Sequence, residues 1–150
     1  MKLKTTNLIS LDALDSFAEE VLTFFSKGGI IGLTGDLGSG KTTLVRAIIK
    51  VLSQKKNIKI DRVISPSFVL HQSYEMLIPP VHHFDLYRMD SVTEMMLVDL
   101  EYYEIVEQVR KNQGFLFVEW PELCVDKKIL KLTAEIKIEI EENCRRYKIL

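Results

Sequence analysis

Gly35-Asp36-Leu37-Gly38-Ser39-Gly40-Lys41-Thr42 is the stretch that decides how this chain is read. It fits the pattern G-x-x-x-x-G-K-[ST], in which every constrained position has a physical task. Glycines admit backbone conformations closed to other residues, so successive amides can converge on phosphate oxygens. The N-terminus of the following helix adds a favourable dipole for an anion. Lys41 has the reach for the β and γ oxygens, and the Thr42 hydroxyl suits Mg²⁺. Asp36, Leu37, Gly38, Ser39, Gly40 and Thr43 complete the expected phosphate cradle.

The flanks have the context that this loop requires. Ile30-Ile31-Gly32-Leu33-Thr34 is a short apolar run, as expected of a buried parallel strand. Thr42 to Leu52 reads as an apolar-faced helix, followed by a polar connection at Gln54-Lys55-Lys56-Asn57. Upstream, a short N-terminal strand leads to Ser10 as the expected cap of a helix. That helix carries Leu11, Leu14, Phe17, Ala18, Val21, Leu22 and Phe25 and is closed by Gly28-Gly29. Downstream, Arg62-Val63-Ile64-Ser65 reads as a strand stopped by Pro66. Phe68 to Met76 and Val81 to Tyr87 read as an antiparallel hairpin around Ile78-Pro79-Pro80.

Ser91-Val92-Thr93-Glu94 has the form of a capping box. The helix it opens carries Met95, Val98, Tyr102, Ile105 and Val109 on one face, a stripe read as core. Phe115-Leu116-Phe117-Val118 is a second buried strand, ending in Glu119. From Leu132 to Ile140 apolar and polar residues alternate with period two, and Arg145 to Leu150 reads as a strand returning beside them. The expected fold is α/β: a P-loop NTPase-like three-layer sandwich with a mixed β-sheet and an antiparallel C-terminal portion, residues 1–150 forming a single P-loop ATPase domain.

Composition bounds the function. A chain of 150 residues suits one core, and 47% hydrophobic with 27% charged residues is an ordinary globular mix. A net charge of −1 argues against a broad nucleic-acid surface, which needs clustered Lys and Arg. Cys124 and Cys144 form no C-x-x-C pair and read as two reduced thiols. The N-terminus lacks the apolar core of a signal peptide, and no apolar run approaches the ~20 residues of a spanning helix. A cytoplasmic protein is therefore expected.

A triphosphate site also needs carboxylates near its metal. Glu119 ends an apolar strand, the Walker B pattern. Asp85 lies in His83-Phe84-Asp85-Leu86-Tyr87-Arg88, where the pattern alone leaves open whether it serves the metal or is a solvated strand-end carboxylate. One acid can hold Mg²⁺ or its water while the other orients the attacking water. The chain has no N-K-x-D element for guanine, so adenine, and hence ATP, is the default base. A small-molecule or nucleoside kinase would use the same cradle, but its arginine-rich lid is not evident here. An ATP-dependent binding module that barely hydrolyses is a third possibility.

Four motifs in order then resemble the TsaE (YjeE) family of small bacterial P-loop ATPases. They are Gly35 to Thr43, Ser65-Pro66-Ser67-Phe68, His83 to Arg88, and Val118-Glu119-Trp120-Pro121, in a span of about residues 30 to 121. The resemblance implies that Lys41, Asp85 and Glu119 are catalytic and that Thr42, Asp85 and Glu119 surround Mg²⁺. Trp120 is implied beside the nucleotide or a partner, with simple packing as its plainer role. Ser65-Pro66-Ser67 resembles the family's S-P-T switch, with Ser67 keeping the hydroxyl and losing the methyl of the usual Thr. Leu97-Val98-Asp99-Leu100-Glu101 departs from the family's acidic stretch and glycine. The implied role is regulatory. Such a protein binds the TsaB and TsaD heterodimer, which threonylcarbamoylates adenosine 37 of tRNAs reading ANN codons, and uses ATP to support and reset it. Contact with tRNA is then indirect.

Overall fold

A computed structural model describes residues 4–60, 71–87, 102–111, 113–124 and 130–150. The expected strand at Arg62–Ser65, the Ser65–Phe68 segment with Ser67, the capping box at Ser91–Glu94 and the divergent Leu97–Glu101 stretch lie outside these residues.

The apolar run before the glycine-rich loop lies at the centre of one mixed sheet. In chain order its strands are β1 (Lys4–Ser10), β2 (Gly29–Thr34), β3 (His71–Tyr74), β4 (Val81–Asp85), β5 (Phe115–Glu119), β6 (Ala134–Glu141) and β7 (Cys144–Ile149). Their spatial order is β1-β7-β6-β2-β5-β4-β3. β2 runs parallel to both β5 and β6, and β5 runs parallel to β4. The β3–β4, β6–β7 and β1–β7 pairs are antiparallel. The hairpin expected around Ile78-Pro79-Pro80 is thus present, with a cis Ile78–Pro79 bond in its turn.

Period-two alternation along β5 assigns the two faces of the sheet. Phe115 and Phe117 enter one apolar cluster with helices α1 (Leu14–Phe24) and α2 (Lys41–Lys55). Leu116 and Val118 enter a second cluster with Tyr102, Ile105, Val106 and Val109 of a third helix, α3, spanning residues 102–111. Every residue of β5 is buried, as a central strand covered on both faces requires. The three layers and the antiparallel C-terminal portion match the expected fold.

Some boundaries differ from the reading of the sequence. Ser10 stands at the N-cap position of a 3₁₀ turn rather than of an α-helix: it still pairs with Cys144 as the last residue of β1, and its side chain makes no capping bond. A 3₁₀ turn at Leu11–Ala13 follows, α1 begins only at Leu14, and Leu11 is 73% exposed rather than part of the apolar face. α2 runs on to Lys55, so Gln54 and Lys55 belong to the helix, not to the connection. Straight-chain polar residues have ample helix propensity, and Lys55 near the C-terminus complements the helix dipole. β6 begins at Ala134, because Thr133 first spends both its backbone and side chain on β2. The Thr133 N–H donates to the Ile30 carbonyl at 2.7 Å, while its Oγ1 accepts the Ile30 N–H at 3.0 Å.

Phe117 is fully buried and stacks on Phe115, with ring centroids 5.6 Å apart. Phe117→Ala is expected to destabilise the fold by about 4 kcal/mol through lost burial and a residual cavity. Urea unfolding of the two proteins measures the difference.

Candidate functional site

The loop after β2 gets its shape from glycine. Gly35 has φ +148°, and a Cβ there would lie 2.5 Å from the Ile138 carbonyl oxygen and 2.7 Å from Ser39 Oγ. Gly40, with φ +103°, forms the N-cap of α2 and turns the chain into the helix. Between them the Ser39 N–H donates to the Asp36 carbonyl at 3.0 Å, closing a tight turn. The expected cradle residues Asp36 to Thr43 therefore sit together at the N-terminus of α2, with Leu37 exposed at the rim.

Parallel pairing brings the acids to the same place. β4 and β5 end in register at Asp85 and Glu119, so both carboxylates rise on the α2 side of neighbouring strand tips. Thr42 Oγ1 donates to Glu119 Oε1 at 2.6 Å. His83, two residues before Asp85 and on the same face, places Nε2 at 2.7 Å from that same oxygen. A carboxylate only accepts, so the histidine Nε2–H is the donor. Asp85 Oδ1 accepts the Tyr87 backbone N–H at 3.0 Å.

Lys41 is folded over the loop. Its ammonium donates to the carbonyls of Gly35 at 2.7 Å and Asp36 at 3.1 Å, and lies 4.0 Å from the centroid of the Trp120 ring. That position combines hydrogen bonds with a cation–π contact. Trp120 itself has left-handed backbone angles (φ 58°, ψ 48°) and packs against Tyr87, with ring centroids 4.8 Å apart. Burial lowers the pKa of Lys41, opposed by the nearby Glu119, Glu122, Asp85 and Asp36. Burial likewise raises the pKa of Asp85, with Glu119 adding to the rise and the Tyr87 N–H, His83 and Lys41 opposing it.

Two cavities flank the loop. One, of about 300 Å³, is lined by Leu37, Lys41, Thr42, Asp85, Tyr87, Glu119 and Trp120. It brings together Leu37, Gly38, Gly40, Lys41, Thr42, Thr43, Asp85, Glu119 and Trp120 of the expected site, but not Asp36 or Ser39, and Ser67 lies outside the described residues. The second, of about 330 Å³, lies between Gly38 to Gly40 and the segments Ile9 to Leu11 and Glu142 to Arg145. Apart from the loop itself, its lining carries no motif. Arg145 Nε donates to the Ser39 carbonyl at 2.9 Å, tying this wall to the loop.

The donor set suits a magnesium–triphosphate. Mg²⁺ takes one or two carboxylates together with phosphates and water, rather than an all-protein cage. Among the described residues no three His, Cys, Asp or Glu side chains form such a cage, whereas two carboxylates and a threonine hydroxyl stand together. Among the described residues the buried Ser39 hydroxyl has no hydrogen-bond partner, and a Cβ added at Gly38 would meet nothing within 4 Å.

A three-layer α/β fold, a glycine-rich loop from a central strand into a helix, and acids at the neighbouring strand tips make this a P-loop NTPase-like α/β domain. The chain belongs to the TsaE family: the family model described as "Threonylcarbamoyl adenosine biosynthesis protein TsaE" matches residues 8–148. It is 34% identical over 147 residues to the tRNA threonylcarbamoyladenosine biosynthesis protein TsaE of Aquifex aeolicus, covering 98% of this chain and 96% of that one. The protein of the same name from Haemophilus influenzae is 33% identical over 107 residues, 67% of this chain and 65% of that one. The fold also resembles the crystal structure of Bacillus subtilis YdiB, with a TM-score of 0.65 and 21% identity over 99% of this chain and 84% of that one. No helix among the described residues is long and apolar enough to cross a membrane.

The raised pKa of Asp85 means that its charged form weighs against the fold. Stability that is full below the ordinary value of 3.8 is lost as pH rises through the elevated one. Asp85→Asn keeps an oxygen for the Tyr87 N–H and removes this loss. In metal-free buffer at neutral pH the variant is expected to melt above the wild type, with the gap closing as pH falls below 3.8. Calorimetric scans across that range check it.

Proposed function

We propose that this chain binds ATP with Mg²⁺ and hydrolyses it, acting as the regulatory component of the machinery that forms N6-threonylcarbamoyladenosine at position 37 of tRNAs reading ANN codons. The observation that carries the nucleotide part is the hydrogen bond of 2.6 Å between Thr42 and Glu119, which joins the loop to the acid of the central strand. The tRNA-modification part rests on membership of the TsaE family.

In this reading Lys41 leaves the carbonyls of Gly35 and Asp36 for the β and γ oxygens. The loop amides and the dipole of α2 hold the remaining phosphate charge. Thr42 with Asp85, Glu119 or both would hold Mg²⁺, which when bound would screen the phosphates and polarise the γ-phosphoryl group. Whichever of Asp85 and Glu119 does not ligate the metal directly orients water. The nucleoside extends into the second cavity, against Ile9 to Leu11 and the turn before Arg145. Trp120 senses the departure of Lys41 and borders the phosphates.

The partners in this reading are TsaB and TsaD, with tRNA engaged through them. A cytoplasmic location follows. ATP state is the signal: the γ-phosphate holds one arrangement of the surface around the site, and hydrolysis releases it.

ATP turnover measured with and without TsaB and TsaD tests the proposal. Turnover that responds to these partners is expected. Turnover indifferent to them, or phosphate transfer to an added metabolite, would count against it in favour of a kinase. Lys41→Ala should weaken ATP binding by at least about tenfold through loss of a charge-assisted contact. Trp120 is the single tryptophan of the chain, so its emission is a direct probe. ATP should change that emission in the wild type as Lys41 moves off the ring, and at the same ATP concentration should change it less in Lys41→Ala.

A further inference from the structure

His83 has no place in the nucleotide chemistry set out above, yet it is almost wholly buried among groups that do. Its side chain is 2% exposed and that of Glu119 is 4% exposed. It reaches Glu119 from β4 because His83 pairs with Phe117, two residues before Glu119 on β5, so the imidazole lies diagonally below the carboxylate. Glu119 Oε1 thus receives two donors, Thr42 from the helix side and His83 from the sheet side. Among the described residues no protein donor reaches Glu119 Oε2.

We propose that His83 is a positioning residue, which fixes the Glu119 carboxylate so that Oε2 is presented to the metal side of the site. The inference rests on the Mg²⁺-nucleotide reading of that site. Glutamate has three side-chain torsions, and a single hydrogen bond to Thr42 leaves the carboxylate free to rotate about that contact. A second donor from a different element removes this freedom. The Thr42 hydroxyl has one hydrogen and two lone pairs, so it can donate to Glu119 while offering oxygen to a metal. His83 anchors the carboxylate to the sheet without touching the metal or the nucleotide. Groups that orient a metal-binding side chain in this way typically change metal affinity by roughly 10- to 100-fold when removed.

Mn²⁺ binding followed by electron paramagnetic resonance, with ADP present at saturation, tests the proposal without recourse to turnover. His83→Ala should weaken Mn²⁺ affinity by roughly 10- to 100-fold, while ADP affinity in chelator stays at the wild-type value. His83→Gln can place an amide N–H near the position of the imidazole Nε2 and should recover most of the loss. His83→Asn places its amide one carbon short and should not. Wild-type Mn²⁺ affinity in His83→Ala would overturn the proposal. Where His83→Ala does not fold, equal Mn²⁺ affinity in the Gln and Asn variants overturns it, and a clear advantage for Gln supports it. A wild-type protein whose ADP complex binds no Mn²⁺ would instead sink the Mg²⁺-nucleotide reading, and this inference with it.

Discussion

The oxygen Oε1 of Glu119 is where the parts of this molecule meet. It accepts from Thr42 at the start of α2 and from His83 on β4, while its own backbone belongs to β5. One acceptor therefore couples the loop, the first turn of the helix and two central strands. This can occur only because β5 lies between β2 and β4 and runs parallel to both. Parallel strands end on the same side of a sheet, so the acids of β4 and β5 arrive where β2 releases the glycine-rich loop. A slip of one residue along β5 would turn Glu119 to the opposite face and leave the Thr42 hydroxyl without this partner.

Burial makes this junction electrostatically uneasy. Desolvation disfavours both the ammonium of Lys41 and the carboxylate of Asp85, lowering one pKa and raising the other. Each partly relieves its neighbour, but neither is fully compensated. The uncompensated part is what a triphosphate and its counterion would exploit. Phosphate oxygens offer Lys41 a formal negative charge in place of two carbonyl dipoles, and a dication offers Asp85 and Glu119 far more than one ammonium can. The strained backbone of Trp120 and the folded-back Lys41 above its ring belong to the same economy of local sacrifice at a functional site.

The centre of the fold was legible because local and global demands agree there. Ile30 to Thr34 and Phe115 to Glu119 are apolar runs bounded by turn residues, and each is a buried parallel strand. Their pattern, with the glycine spacing, was enough to bring Lys41, Thr42 and Glu119 together, whereas Asp85 joined them only through the family resemblance. The boundaries were harder. Leu11 has the spacing of a helix face, yet β1 keeps Ser10 paired to Cys144 and leaves a 3₁₀ turn to absorb the junction. Nothing local in the sequence records that pairing, because its partner lies 134 residues away in the numbering of Ser10 and Cys144. The same reason hid the second cavity. Its walls come from opposite ends of the chain, and they have no shared motif until β7 pairs with β1. His83 was visible as part of a motif, but its contact depends on the β4–β5 register, which only the folded sheet supplies.

The antiparallel C-terminal portion is accordingly more than a device for completing a sheet. β7 joins β1 to β6, and β6 is paired to β2, the strand that launches the loop. Gly35 needs its missing Cβ because the Ile138 carbonyl of β6 stands in that space, and Arg145 of β7 holds the Ser39 carbonyl from the far side. The loop is thus shaped from one flank by β4 and β5, which bring charge, and from the other by β6 and β7, which bring shape and a cavity. A nucleotide has the same asymmetry, with anionic phosphates at one end and a flat, weakly polar base at the other. The division of labour across the sheet is what would allow a single loop to grip one end of such a molecule and orient the whole.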